Sequence, residues 1–417
     1  MMRSAALLCL SLLAVPSLAR GQVDSTLAQS YFKEAMALCE RDGGKLWGIS
    51  LCGPMVFTDA ATKTIATSQP APDAPRPGGL GFVNAPMTWG GTKWSAYMWA
   101  WIPHSDAQER GCLFIHELFH RIQSELKLMA GVAENDHLDT LDGRYWIQLE
   151  WRALSRALTS SGAARAAAIR DALAFRRARQ TAFPAAAAAE AADEIREGLA
   201  EYTGIVVATP STTDAVALGV RRLANAEQEV SFVRRFHAAS GPAYGLLLDA
   251  FSPGWTRRVT ATDDLAQLLA AAAKIEPARD AAASAARYRA AELRAAEEEL
   301  DVERQARIAG LKARFVDGPV LIVPRPTGAA TNNTGATPIP GVGLVMMEYR
   351  ATPAWGSLTA TSGVLVLTKG AVLHLTTPFR TSGSTLSGEG WTITLAAGWT
   401  VRPGQRPGDF EVVKAEP

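Results

Sequence analysis

The stretch Leu113-Phe114-Ile115-His116-Glu117-Leu118-Phe119-His120-Arg121-Ile122 sets two histidines four positions apart around a glutamate, inside an apolar, helix-compatible segment. On an α-helix, positions i and i+4 share a face, so both imidazoles can address one metal ion. Glu117 stands one position after His116, rotated out of the ligand plane yet close enough to reach a water on that ion. Leu113, Phe114, Leu118, Phe119 and Ile122 make the helix apolar on more than one side, which predicts burial. A buried pair of imidazoles needs a polar partner, and a metal ion supplies one. The plainer alternative is two histidines on a helix surface. The chain has only six His, so this arrangement around a Glu is an uncommon coincidence.

Working outward, the N-terminus reads as a secretory leader. Arg3 gives a positive start, residues 5–15 form an apolar run, and Pro16-Ser17-Leu18-Ala19 offers a cleavage site after Ala19. That run is too short to span a bilayer, and Cys9 lies too early in it for a lipoprotein anchor. The expected protein is exported, periplasmic or extracellular, without stable membrane insertion. A net charge of +1 over 417 residues argues against nucleic acid as a partner. Nothing in the sequence speaks to oligomeric state. Cys39 and Cys52 flank a Gly- and Trp-containing turn, Asp42-Gly43-Gly44-Lys45-Leu46-Trp47, and are expected to form a disulfide. Cys112, one turn before His116, reads as a buried inert thiol.

The length suggests more than one domain. A helix is expected over 24–40, then a strand-like, turn-rich text to about residue 102, with strands near 55–57 and 62–67 and a hairpin around Trp89-Gly90-Gly91. Helices dominate from 108 to about 313: 145–159, 163–180, 185–206, 214–237, 243–251 and a long Ala-rich one over 277–315. At Gly318-Pro319 the composition changes to short apolar runs between turns (320–323, 344–347, 363–367, 371–376, 391–395, 410–413). The fold class is therefore α+β. A mostly helical domain with a small N-terminal sheet fills 20–317, and an all-β sandwich or barrel fills 318–417. That module is expected to dock on the helical domain or to contact substrate or a surface. Trp391 and Trp399 are either its core or an aromatic platform.

A catalytic zinc site uses three protein ligands and one open position. The residues after His120 exclude a third histidine of the His-x-x-Gly-x-x-His kind. Two glutamates compete for the place: Glu197, in Glu197-Gly198-Leu199-Ala200-Glu201-Tyr202, and Glu150, in Trp146-Ile147-Gln148-Leu149-Glu150-Trp151. Glu150, if buried, needs either the metal or an arginine such as Arg144. The pairing of His116-Glu117-x-x-His120 with Glu197-Gly198-x-Ala200-x-Tyr202 resembles the gluzincin metallopeptidases. The resemblance covers these two motifs only, and the interval from His120 to Glu197 exceeds the clan's common spacing. It implies a Zn2+ ion on His116, His120 and Glu197, with Glu117 as general base. Glu201, four positions after Glu197, would accept the free N–H of a ligand imidazole. It also implies a peptide or protein substrate, and Tyr244 or His237 as the donor to the developing oxyanion, Tyr202 being a weaker third.

The polar turn from Asn135 to Asp142, with Arg144 beyond it, reads as capping chemistry, a cleft rim or a secondary cation site. The expectation is an exported zinc metallohydrolase acting on peptides. Its rivals are a non-catalytic secreted binding or adhesion protein, with a structural metal or none, and a hydrolase of non-peptide amides or esters using the same site.

Overall fold

The computed structural model describes residues 22–81, 83–131, 135–233, 235–332 and 336–415, so the leader read over 1–19 lies outside the described residues. Helix α1 (Ser25–Asp42) is capped by Asp24, whose side chain accepts from the Leu27 N–H, and it ends at Gly43, which turns left-handed at φ 57°. A small sheet follows: β1 (Met55–Thr58), β2 (Ile65–Thr67), β3 (Ala85–Trp89) and β4 (Thr92–Met98), in the order β2-β1-β4-β3. β3 and β4 form the hairpin, turning through Gly90 and Gly91 at positive φ, and β1 pairs with β4 in parallel. The disulfide between Cys39 and Cys52 ties α1 to the entry of this sheet.

The sheet positions the histidine helix, α2 (Ala107–Gln123). Ser95 and Tyr97 alternate along β4 and point to one face. Their hydroxyls donate to the carbonyls of Glu117 and Phe114, at 3.0 and 2.8 Å, which fixes the height and rotation of α2 against the strands. Arg121 adds a third tie, donating to the carbonyls of Leu51 and Cys52 beside the disulfide.

Two long helices, α3 (Leu141–Thr159) and α4 (Gly162–Ala182), pack as a hairpin in the interval between His120 and Glu197. Next comes one continuous helical rod in three parts: α5 (Ala186–Asp193), a π-helical turn over Glu194–Gly198, and α6 (Leu199–Ala208). α7 (Thr212–Ala226) ends earlier than the expected 214–237, and α8 (His237–Phe251) begins at His237 and runs through Pro242. Pro242 lies inside α8, in its second turn, whereas sequence alone placed the start of the helix one residue later, at 243. α9 (Leu265–Ala273) and α10 (Ala281–Ala285) are short, and the expected helix over 277–315 is interrupted at Arg289 (φ 58°) before α11 (Ala290–Lys312).

From β5 (Val320–Pro324) to β17 (Phe410–Lys414) the chain builds a six-stranded and a seven-stranded sheet that share one core of Leu321, Leu358, Leu373, Trp391 and Ile393. Trp391 is buried there, its ring N–H given to the Thr376 carbonyl, so it belongs to the core and not to a platform; Trp399 is half-buried against it. The sandwich is joined to α11 by Phe315, which inserts between Ile339, Val345 and Leu365. No helix among the described residues is long and apolar enough to cross a membrane.

Beneath the helices that carry His116 and Glu197 lies a buried ionic cluster. Arg179 reaches Glu150 at 2.6 Å and Glu190 at 2.7 Å; Arg176 holds Glu194 with two bonds of 2.9 Å and lies 3.4 Å from Glu150. His137 meets Glu190 at 2.7 Å, which ties the polar turn before α3 to α5. Burial pushes the Glu194 carboxyl up to about 7 despite Arg176, whereas Arg179 overcomes the cost of burial at Glu190 and holds it well below the usual carboxylate range. Removing one partner from such a cluster leaves buried charge uncompensated. Arg179→Met should lower stability by about 3–5 kcal/mol, read from the midpoint of urea unfolding followed by circular dichroism.

Candidate metal centre

The π-helical turn decides which glutamates face which site. In an unbroken α-helix Glu190, Glu194, Glu197 and Glu201 would lie along one stripe, spaced four, three and four residues apart. The wider turn over Glu194–Gly198 rotates the second pair away from the first. Glu190 and Glu194 therefore serve the buried arginines, and Glu197 and Glu201 face α2. Glycines let the helices close in. A Cβ on Gly241 of α8 would stand 2.4 Å from the Gly198 Cα, and one on Gly204 would stand 2.7 Å from the Cys112 carbonyl oxygen.

His116, His120 and Glu197 converge here, each half-buried, and among the described residues they are the group of three that could hold a metal ion. The two Nε2 atoms are 3.0 Å apart; Glu197 Oε2 lies 3.3 Å from that of His120 and 3.7 Å from that of His116. The outer hydrogen bonds dictate the tautomers. Gln123 donates its amide N–H groups to the carbonyls of Ile195 and Arg196, so its oxygen faces His120 Nδ1 at 2.9 Å, and that nitrogen must carry a proton. Glu201 Oε1 stands 3.5 Å from His116 Nδ1, an electrostatic contact that favours the same choice there. Both Nε2 lone pairs then point at one another and at a carboxylate oxygen. Three donors share one space with nothing to accept from them, which is the arrangement a cation completes. Without a cation the pair holds one proton beyond the two on Nδ1. Burial works against charge on His120, yet its hydrogen bond to Glu197 and the nearby carboxylates raise it to about 9, while burial and then His120 lower His116 to about 3. Glu197 is held far below its ordinary range despite burial, chiefly by His120, and Arg196 grips its other oxygen at 2.9 Å.

Glu117 sits beside this group. Its Oε2 is buried and has no hydrogen-bond partner, and burial raises the carboxyl to about 7. His237, at the start of α8, lines the same cleft with Glu197; burial lowers its basicity, and its Nδ1 has no partner.

Other residues singled out by the sequence lie elsewhere. Tyr244 is fully buried and gives its hydroxyl to Glu150 at 2.6 Å, so it belongs to the ionic cluster and does not present its oxygen to the cleft. Glu150 is spoken for by Arg179, Arg176 and Tyr244 and stands outside the donor group; its arginine partners come from α4, while Arg144 pairs with Glu297. Tyr202 is buried and bonded to Asp249. Cys112 is a buried free thiol raised to about 12 by burial. In the polar turn Asn135 donates to Asp193, Asp139 accepts from Ser231 and Phe232, and Asp136 lines the cleft. Sequence reasoning passed over Gln123 and Arg196. The first had a usable signal, standing three positions after His120 on the same helix face. Comparison of the chain with protein families, curated proteins and solved structures returned no match.

Two measurements probe the centre. Gln123→Ala should weaken binding of a divalent ion about 10–100-fold, read by competition with a chromogenic chelator. Because the metal-free pair carries one excess proton, on His120, at neutral pH, affinity should climb with pH until His120 is deprotonated near 9. Calorimetry in buffers of different ionisation enthalpy should accordingly find a proton released on ion binding.

Proposed function

We propose that the chain is an exported zinc peptidase of the gluzincin type, acting on peptide or protein substrates. The observation that carries this reading is the convergence of His116, His120 and Glu197 beside the unpartnered Oε2 of Glu117. Two imidazoles and one carboxylate are a known donor set of catalytic zinc, which keeps a fourth position open. Ligand atoms about 2.0–2.1 Å from a tetrahedral ion lie about 3.3 Å from one another, and the separations of 3.0, 3.3 and 3.7 Å bracket that value. Export is supported by the Cys39–Cys52 disulfide, which persists in oxidising compartments.

Bound zinc supplies Lewis acidity that polarises a scissile carbonyl and acidifies water. Glu117 takes the water proton at Oε2 and passes it to the leaving amine, a task suited to a carboxyl that burial has tuned to about 7. His237, kept neutral at pH 7 by its buried position, faces the cleft as a donor to the developing oxyanion. Gln123 and Glu201 hold the two imidazoles in the tautomer that leaves both Nε2 atoms free.

The test is hydrolysis of a quenched-fluorescence peptide library by protein stripped with chelator and reloaded with zinc. Activity should vanish on stripping and return on reloading. Glu117→Gln should keep stoichiometric zinc but lose about 10²–10⁴ in rate, and His120→Ala should lose both metal and activity; undiminished hydrolysis by the Glu117 variant overturns the base assignment. Since the base works only when deprotonated, kcat/KM should fall as pH drops through the Glu117 pKa, near 7 in the metal-free protein and lower with the cation beside it.

A further inference from the structure

The β-sandwich reaches over the metal centre. A cavity of about 930 Å³ opens between them, with Glu197, Arg196 and His237 on the helical wall and Arg325, Tyr349 and Thr368 on the sandwich wall. That volume lies within the range of clefts that enclose a ligand. A ligand of the metal site thus shares one space with the C-terminal module.

The two walls differ in charge. On the helical side Arg196 is engaged, by Asp193 at 2.7 Å and by Glu197 at 2.9 Å. On the sandwich side Arg325 is the one charged residue among the described lining residues; it is exposed, and no ion pair among the described residues involves it. Its backbone is held firmly where β5 ends. The Arg325 N–H donates to the Ala371 carbonyl at 2.7 Å, the preceding Pro324 carbonyl accepts from the Trp355 ring at 2.9 Å, and Pro326 restricts the next φ. Carried on this held backbone, and with no carboxylate partner among the described residues, the guanidinium offers a planar donor fork to a carboxylate brought by a ligand.

We propose that the sandwich forms the second wall of the substrate cleft and that Arg325 binds a carboxylate of the substrate, selecting peptides with an acidic group near the scissile bond. This rests on the peptidase reading. The carboxylate can come from an Asp or Glu side chain or from the C-terminus of the peptide, and the experiment separates these sources.

Three labelled hexapeptide pools are used: one neutral with a free C-terminal carboxylate, one amidated with a fixed Glu, and one amidated and neutral. Their binding to zinc-loaded Glu117→Gln protein, which should hold peptides without turning them over, is followed by fluorescence polarisation. One carboxylate-bearing pool should bind about tenfold more tightly than the neutral pool, the margin of a single charge-assisted contact. Adding Arg325→Gln should erase that margin, and Arg325→Lys should restore part of it. The pool that gains identifies the source. Equal affinity of all pools, a margin that survives Arg325→Gln, or no binding at all overturns the assignment. Hydrolysis by the unsubstituted protein is scored separately. A margin without hydrolysis sinks the peptidase reading alone, and hydrolysis without a margin sinks the role of Arg325 alone.

Discussion

Crowding of like partners organises this molecule. Two imidazole nitrogens and a carboxylate oxygen sit within 3.0–3.7 Å of each other, all of them electron-pair donors. Such a cluster is unfavourable by itself and persists because its surroundings over-determine it. Gln123 is locked by two carbonyls of the facing helix and so leaves His120 no choice of tautomer. Arg196 restrains Glu197 from the other side. The same hydrogen bonds that orient the donors also join α2 to the glutamate helix.

The rest of the helical domain delivers these two helices to one another. α2 is set by the hydroxyls of Ser95 and Tyr97 and by Arg121, which grips the chain beside the disulfide. The glutamate helix is pressed against it through Gly204 and against α8 through Gly198 and Gly241, positions where any side chain would meet backbone. Behind it, the arginines of α4 neutralise Glu150, Glu190 and Glu194, so the acidic face nearest the core is satisfied without drawing on Glu197 and Glu201, which face the histidines.

What the sequence made legible was local. The spacing of His116 and His120, the glycines of the β3–β4 turn and the cysteines around one short loop each encode their outcome within a few residues. The change to β structure after Gly318 was legible for the same reason, although the sandwich contains strands such as 330–332, 337–339 and 380–382 that are too short or too polar to give a period. Contacts across the fold were less so. Glu150 looked like a site residue because it is a carboxyl in an apolar helix, and Tyr244 because the resemblance implied an oxyanion donor after the ligand helix, but their partners are each other and the arginines of α4. Periodicity also assumes an unbroken helix, and the π turn, which divides four glutamates between two sites, leaves no mark in it. Arg325, in a Pro- and Gly-rich connection, acquires meaning only from the cleft it borders.

The π turn makes the length of its helix a functional quantity. Were the rod wound uniformly with all of its residues between Glu190 and Glu201 kept, it would gain local regularity. Everything beyond the turn would then swing by about 100° relative to everything before it, the rotation that the one extra residue of the wide turn absorbs. Either the carboxylates stay with their arginines or they stay with the histidines, but not both. Insertions and deletions that the wide turn does not absorb should therefore be selected against far more strongly than most side-chain changes around it, and relatives of this chain should be found by the rotational register of these glutamates sooner than by overall similarity.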